Sequence, residues 1–101
     1  MKAKLRFHRK LTLIHGLTSE AAVAELKIFE VPVSSHYPDG LKFSMFLVLK
    51  DSGRVLLGFD NHKPKGPHLH LHDREIPYEY SGVDQLVEDF WRFVKKEGFV
   101  I

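Results

Sequence analysis

The sequence predicts an α+β fold: an antiparallel sheet of about five strands, largely a meander, with a C-terminal helix packed on one face. Extended segments of alternating or continuous apolar character recur up to Tyr80, separated by turn sequences such as Pro38-Asp39-Gly40. After Ser81 the spacing of the apolar residues becomes helical. We expect residues 1–101 to form one domain, because this length is ordinary for a single domain and no segment resembles a linker.

The first predicted strand runs from Lys2 to Ile14 and alternates in character. Its apolar face consists of Ala3, Leu5, Phe7, Leu11 and Leu13. Its other face consists of Lys2, Lys4, Arg6, His8 and Lys10. The next run, Val23 to Val31, has two interpretations. The sequence Ser19-Glu20-Ala21-Ala22 is a plausible helix start, whereas the LKIFEV segment before Pro32 favours a strand. We predict a strand.

The remaining strands are shorter and more apolar. The run from Leu41 to Leu49 is apolar on both faces, which is typical of a central strand. Asp51-Ser52-Gly53 predicts a hairpin turn into a strand from Val55 to Asp60. Two further short strands are expected at His68–His72 and Ile76–Tyr80.

The helix is expected to begin at Ser81. Ser81 and Asp84 have the spacing of a capping box, with Asp in place of the usual Glu or Gln. An apolar stripe follows at helical spacing, formed by Val83, Leu86, Val87, Phe90 and Val94. Gly98, behind two lysines, predicts the end of the helix.

The composition excludes several classes of protein. The chain has no cysteine, so it forms neither a disulfide nor a thiolate zinc site. No segment approaches the roughly 20 consecutive apolar residues of a membrane-spanning helix. The basic N-terminal segment interrupts its apolar residues with charges, unlike a signal peptide. We therefore expect a cytoplasmic protein with no membrane association.

The chemistry is concentrated between Gly58 and Tyr78, where the sequence reads GFDNHKPKGPHLHLHDREIPY. Four of the seven histidines lie between His62 and His72. The residues from Asn61 to Pro67 include two prolines and a glycine, and they predict a loop. A strand from His68 to His72 would place its three imidazoles on one face.

Imidazoles beside fixed cations are suited to RNA cleavage without a metal. One imidazole would accept the proton of the ribose 2′-hydroxyl and the other would protonate the departing 5′-oxygen, and His68 and His70 are the candidates. Lys65 and Arg74 would stabilise the phosphate, and Asp60 or Glu75 would orient an imidazole. The candidate RNA-binding residues are Lys2, Lys4, Arg6, Lys10, Lys63 and Tyr78.

Three other interpretations stay open. The histidines can form a solvated polar face of a non-catalytic module that binds RNA or a protein. His68, His70 and Asp60 can instead bind Zn²⁺ or another divalent ion in a metal-dependent hydrolase. The basic N-terminal strand can serve as an edge that discourages aggregation, and an exposed edge strand can pair with a second copy in a homodimer.

The same residues carry a family resemblance. Gly58-Phe59-Asp60-Asn61, Lys65-Gly66, His68-x-His70, Glu75-x-Pro77-Tyr78 and the final Val83-xx-Leu86-xxx-Phe90 helix resemble the TumE-type toxins of bacterial and archaeal toxin–antitoxin systems. Pro67 stands where the family often has an acidic or polar residue. The resemblance implies a growth-inhibiting protein neutralised by an antitoxin, commonly a helix-turn-helix protein encoded alongside it. Ribonuclease activity is an expectation by analogy with other small α+β toxins.

Overall fold

The computed structural model describes residues 3–101 and contains one antiparallel sheet and one helix. The elements are β1 (Lys4–Ile14), β2 (Ala21–Glu30), β3 (Leu41–Leu49), β4 (Val55–Asp60), β5 (His68–Leu71), β6 (Arg74–Pro77) and α1 (Val83–Lys96). The six strands lie in sequence order across the sheet, and every neighbouring pair is antiparallel. The predicted α+β meander with a C-terminal helix is therefore confirmed, with six strands rather than about five.

The core lies between the sheet and α1. Alternate residues of the central strands point towards the helix, because side chains of a strand alternate between its faces. The buried apolar side chains on this side include Leu26, Met45, Leu47, Phe59 and Leu69 from the strands and Leu86, Phe90 and Val94 from the helix. The ambiguous second segment is a strand, since Ala22, Ala24, Leu26 and Ile28 are buried with a period of two.

The opposite side of the sheet, which we call the open face, is not covered by α1. Two rows of residues cross it in register. The first row is His8, Lys27, Ser44, Asp60, His68 and Pro77. The second row is Lys10, Glu25, Phe46, Gly58, His70 and Glu75. We call the side that carries α1 the helix side.

A register shift in β1 changes the predicted faces of that strand. Leu5 pairs with Phe29 and Phe7 pairs with Ile28, so the shift lies between Leu5 and Phe7. An extra residue in one strand reverses the alternation beyond it. The prediction of a single basic face is therefore wrong. His8 and Lys10 belong to the open face, whereas Lys4 and Arg6 lie on the helix side, and Lys2 lies outside the described residues.

The structure also corrects the boundaries of three C-terminal elements. Gly82 is the residue that caps the helix, at a φ of 117°, and no side chain makes a capping hydrogen bond. The predicted Ser81 cap is therefore wrong, whereas the end is as expected, with Gly98 at a φ of 93° after the last turn. His72 has a φ of 54° and leaves β5, which ends at Leu71. β6 consequently starts and ends earlier than predicted, at Arg74 and Pro77.

Candidate active site

Asp60, His68 and His70 meet on the open face. Asp60 is the last residue of β4, and it pairs directly with His68, the first residue of β5. His70 lies on the same face because it is two residues further along the strand. One ligand atom from each of the three side chains lies within 4.8 Å of the others. His72 does not join them, because its Nε2 lies 2.9 Å from Oε1 of Glu97, so the expectation of three imidazoles on one face is wrong.

His68 is the fixed imidazole of this cluster. It is buried, with 7% of its surface exposed. Its Nδ1 lies 2.8 Å from the carbonyl oxygen of Gly66, and its Nε2 lies 2.9 Å from Oδ1 of Asp60. Oε1 of Glu75 is 3.5 Å from the same Nε2. A carbonyl and a carboxylate only accept hydrogen bonds, so these contacts suit a ring that donates from both nitrogens.

His70 is the accessible imidazole. Its side chain is 31% exposed, and its Nε2 lies 3.5 Å from Oδ2 of Asp60. The ring packs edge-on against His68, with centroids 4.7 Å apart, and it lies 5.9 Å from the ring of Phe46. Phe46 occupies space above Gly58, where an added Cβ would come within 2.3 Å of its ring. The absence of a side chain at Gly58 therefore allows Phe46 to lie beside His70.

Lys65 and Glu75 extend the cluster at its outer edge. Nζ of Lys65 lies 2.9 Å and 3.0 Å from the two carboxylate oxygens of Glu75. The hydrogen bond from Lys65 lowers the pKa of Glu75, so this carboxylate is ionised at neutral pH. Because Glu75 also faces His68, the side chains from Lys65 to His70 form a continuous chain of polar contacts. Four of the six predicted catalytic residues thus contact one another around Asp60 and His68, and Lys65 joins through Glu75.

The loop that carries Lys63 and Lys65 is anchored by a buried amide. Asn61 accepts a hydrogen bond from the backbone of Phe43 and donates one to the carbonyl of Leu41, both at 2.9 Å. These two bonds attach the start of the loop to β3. A cavity of about 250 Å³ lies under the loop, lined by Asp60, His62, Lys63, Pro64, Lys65 and His68. Lys63 thus lies beside the cluster.

Arg74 and Tyr78 lie away from the imidazoles. Arg74 pairs with Leu71 and therefore belongs to the helix side. The Tyr78 hydroxyl donates a hydrogen bond to Asp89 of α1, and its ring packs edge-on against Phe59 at 5.0 Å. Burial, together with the hydrogen bond to Asp89, raises the pKa of Tyr78. These contacts join β6 to the helix instead of presenting the ring on the open face.

Two lysines on the open face were not identified from the sequence. Lys27 and Lys42 belong to β2 and β3, and they border a cavity of about 270 Å³ beside Asp60. The remaining lining residues are Phe29, Phe43, Ser44 and His62. Each lysine occupies a polar position of an alternating strand, but only the register of β2, β3 and β4 brings them to the cluster.

The three converging side chains also suit a divalent metal ion. Imidazole nitrogen and carboxylate oxygen are ligands for Zn²⁺ and related ions. The Nδ1 of His68 is held by the Gly66 carbonyl, which directs Nε2 towards Asp60. Metal-binding histidines are usually oriented in this way through their second nitrogen. Asp60, His68 and His70 are thus the residues that would hold an ion.

Comparison with known proteins identifies one family. The family model described as "Toxin TumE" matches residues 3–97, nearly the whole chain. Comparisons with curated proteins and with solved structures give no significant match. Within residues 3–101, α1 is too short and too polar to cross a membrane.

Proposed function

Because the chain belongs to the TumE toxin family, we propose that it is a toxin that inhibits growth by cleaving RNA on its open face. Family membership implies a cognate antitoxin, and we propose that this partner is a helix-turn-helix protein and that both act in the cytoplasm. The observation that carries the ribonuclease proposal is the convergence of Asp60, His68 and His70 within 4.8 Å, on a face that also carries lysines.

In the proposed mechanism the two imidazoles have different roles. His70 reaches solvent and accepts the proton of the ribose 2′-hydroxyl. His68 keeps its proton near Asp60 and donates to the departing 5′-oxygen as that bond breaks. Lys65 lies beside this pair and stabilises the charge that develops on the phosphate. The reaction thus transfers one proton to His70 and one from His68.

The RNA backbone would follow the lysines of the open face. Lys10, Lys27 and Lys42 provide positive charge across β1, β2 and β3, and Lys63 provides it from the loop. Neutralising phosphates with such residues releases counterions, so the affinity would fall as salt rises. Lys4, Arg6 and Arg74 belong to the helix side and are not assigned to this track.

A metal-dependent hydrolase is the second candidate. The observation in its favour is the orientation of His68 by the Gly66 carbonyl, with three ligand atoms converging. Asp60, His68 and His70 would hold the ion, which would polarise a phosphate oxygen or activate a water.

The test is induced expression in a bacterial host, with growth and total RNA followed together. We expect His70→Ala to lower RNA cleavage by roughly 10²- to 10⁴-fold, the usual contribution of a general acid or base. His36→Ala is the matched control, because His36 is an exposed imidazole outside the cluster. RNA that stays intact while wild-type protein arrests growth would refute the nuclease and favour a passive binding module.

Cleavage assays with purified protein distinguish the metal-independent mechanism from the metal-dependent hydrolase. Cleavage that persists in EDTA supports proton transfer by the imidazoles alone. Cleavage abolished by EDTA and restored by Zn²⁺ or Mn²⁺ supports the metal-dependent hydrolase. Asp60→Asn removes a negatively charged ligand while leaving both imidazoles in place, so the metal-dependent hypothesis predicts that Zn²⁺ or Mn²⁺ restores no cleavage in this variant.

A further inference from the structure

A groove on the helix side separates α1 from the N-terminal edge of the sheet. Six strands spaced about 4.8 Å apart are wider than one helix of about 10 Å. α1 packs closest to β4, so the edge strand β1 is left partly uncovered. The resulting groove has a volume of about 760 Å³.

The groove has two apolar walls and a charged rim. Val83, Val87 and Trp91 form one wall at helical spacing, and Phe7 and Ile28 form the other. Phe7 is 40% exposed, although it is a large apolar residue within a strand. The rim consists of Arg6, Asp84, Glu88, Arg92 and Lys95. An apolar strip with a polar rim is the pattern of a protein-binding surface.

The positive charge of β1 indicates what kind of partner the groove binds. The strand contains no Asp or Glu, and three of its four cations, Lys4, Arg6 and Arg9, lie on the helix side. Lys4 and Arg9 lie on the helix side by register, and neither forms an ion pair within residues 3–101. Pairing β1 with a second copy would set basic residues against basic residues, which is unfavourable. The β1 side of the groove therefore favours a partner that brings carboxylates, whereas the α1 side also presents Asp84 and Glu88.

From these features we infer that the groove binds an amphipathic helix of the cognate antitoxin. The helix would lie beside α1, with its apolar face against Phe7 and Trp91 and with Asp or Glu side chains towards Arg9 and Lys95. The groove wall from Val83 to Lys95 spans about 18 Å at 1.5 Å per residue, which matches about three turns of partner helix. This inference rests on membership of the toxin family and does not depend on ribonuclease activity.

The antitoxin-binding groove and the imidazoles lie on opposite sides of the sheet. A partner helix in the groove would complete the second layer over β1, as a second helix does in two-layer domains. Binding is therefore separable from catalysis: His70→Ala is expected to lower RNA cleavage by roughly 10²- to 10⁴-fold while retaining affinity for the antitoxin.

Trp91 is the reporter for the test, because it is the sole tryptophan of the chain and it lines the groove. The probe is the purified antitoxin encoded beside the toxin gene, in a variant whose own tryptophans are replaced. It is titrated into the toxin while the emission of Trp91 is recorded, with excitation at the long-wavelength edge of tryptophan absorption. We expect a blue shift on binding and a loss of affinity of at least about tenfold for Phe7→Glu. Leu17→Glu is the matched control, because Leu17 is 92% exposed outside the groove.

Lys95→Glu is the second variant, because the exposed side chain can be replaced without changing the core. We expect it to weaken binding several-fold, mainly through a slower association rate. In growth assays without antitoxin both variants should stay toxic, and with antitoxin they should escape neutralisation. Unchanged affinity in both folded variants would overturn the inference. A shift of Trp91 emission by single-stranded RNA, or a homodimer that Phe7→Glu dissociates, would assign the groove to a different occupant.

Discussion

At the scale of single residues, Gly58 links the packing of the open face to the position of His70. A Cβ at this position would overlap the ring of Phe46, which lies beside the accessible imidazole. We expect Gly58→Ala to displace Phe46, to destabilise the protein by about 1–3 kcal/mol and to lower RNA cleavage. Gly16→Ala is the control, because an added Cβ there meets atoms only at an ordinary 3.6 Å. Denaturant unfolding and RNA cleavage would be measured on both variants, and an unchanged Gly58→Ala protein would contradict this steric role.

Much of the candidate site could be predicted from the identity and spacing of its residues. Asp60, His68 and His70 were identifiable because they are close in sequence and because their spacing of two places both imidazoles on one strand face. Lys27 and Lys42 were not, since their approach to Asp60 depends on strand register rather than on any local pattern.

At the scale of elements, alternation identified the strands but not their irregularities. β2 was recognisable because its buried residues recur with a period of two. The register shift between Leu5 and Phe7 could not be predicted, because it arises from the pairing of β1 with β2 and is not visible in the local sequence of β1. Ser81 has the chemistry of a helix cap, but the positive φ of Gly82 makes that glycine the capping residue.

The junction between β6 and α1 gives a second prediction. Burial favours a raised pKa for Asp89, but hydrogen bonds from Tyr78 and Gln85, together with Arg92, outweigh it and lower that pKa. We expect Tyr78→Phe to lower the free energy of unfolding by about 1.5–3 kcal/mol at neutral pH, the usual range for a hydrogen bond to a charged group. Tyr80→Phe is the control, because the Tyr80 hydroxyl bonds to the exposed Asp39 and should contribute less.

The same junction predicts the direction of a pH dependence. Because the pKa of Asp89 is lower in the folded protein than in the unfolded chain, ionised Asp89 stabilises the folded state. This stabilisation is fully present above the unfolded-chain pKa of about 3.9 and is lost as the pH falls through the folded-state pKa. The stability difference between wild type and Tyr78→Phe should therefore shrink below about pH 4. Urea unfolding at pH 7 and at pH 3 tests this, and a difference that grows at pH 3 would contradict the assignment.

At the scale of the whole molecule, the two sides of the sheet are proposed to serve different partners. The open face carries the imidazoles and Lys27 and Lys42, whereas Lys4 lies on the helix side with the groove. We expect Lys27→Ala and Lys42→Ala each to weaken single-stranded RNA binding and to reduce the slope of log affinity against log salt by about 0.7. Lys4→Ala removes the same charge from the opposite side and should leave that slope nearly unchanged. Fluorescence anisotropy with a labelled RNA, measured from 50 to 200 mM salt, compares the three variants. Equal losses for all of them would mean that RNA responds to total charge and not to one face, which would remove the basis for a directed RNA track.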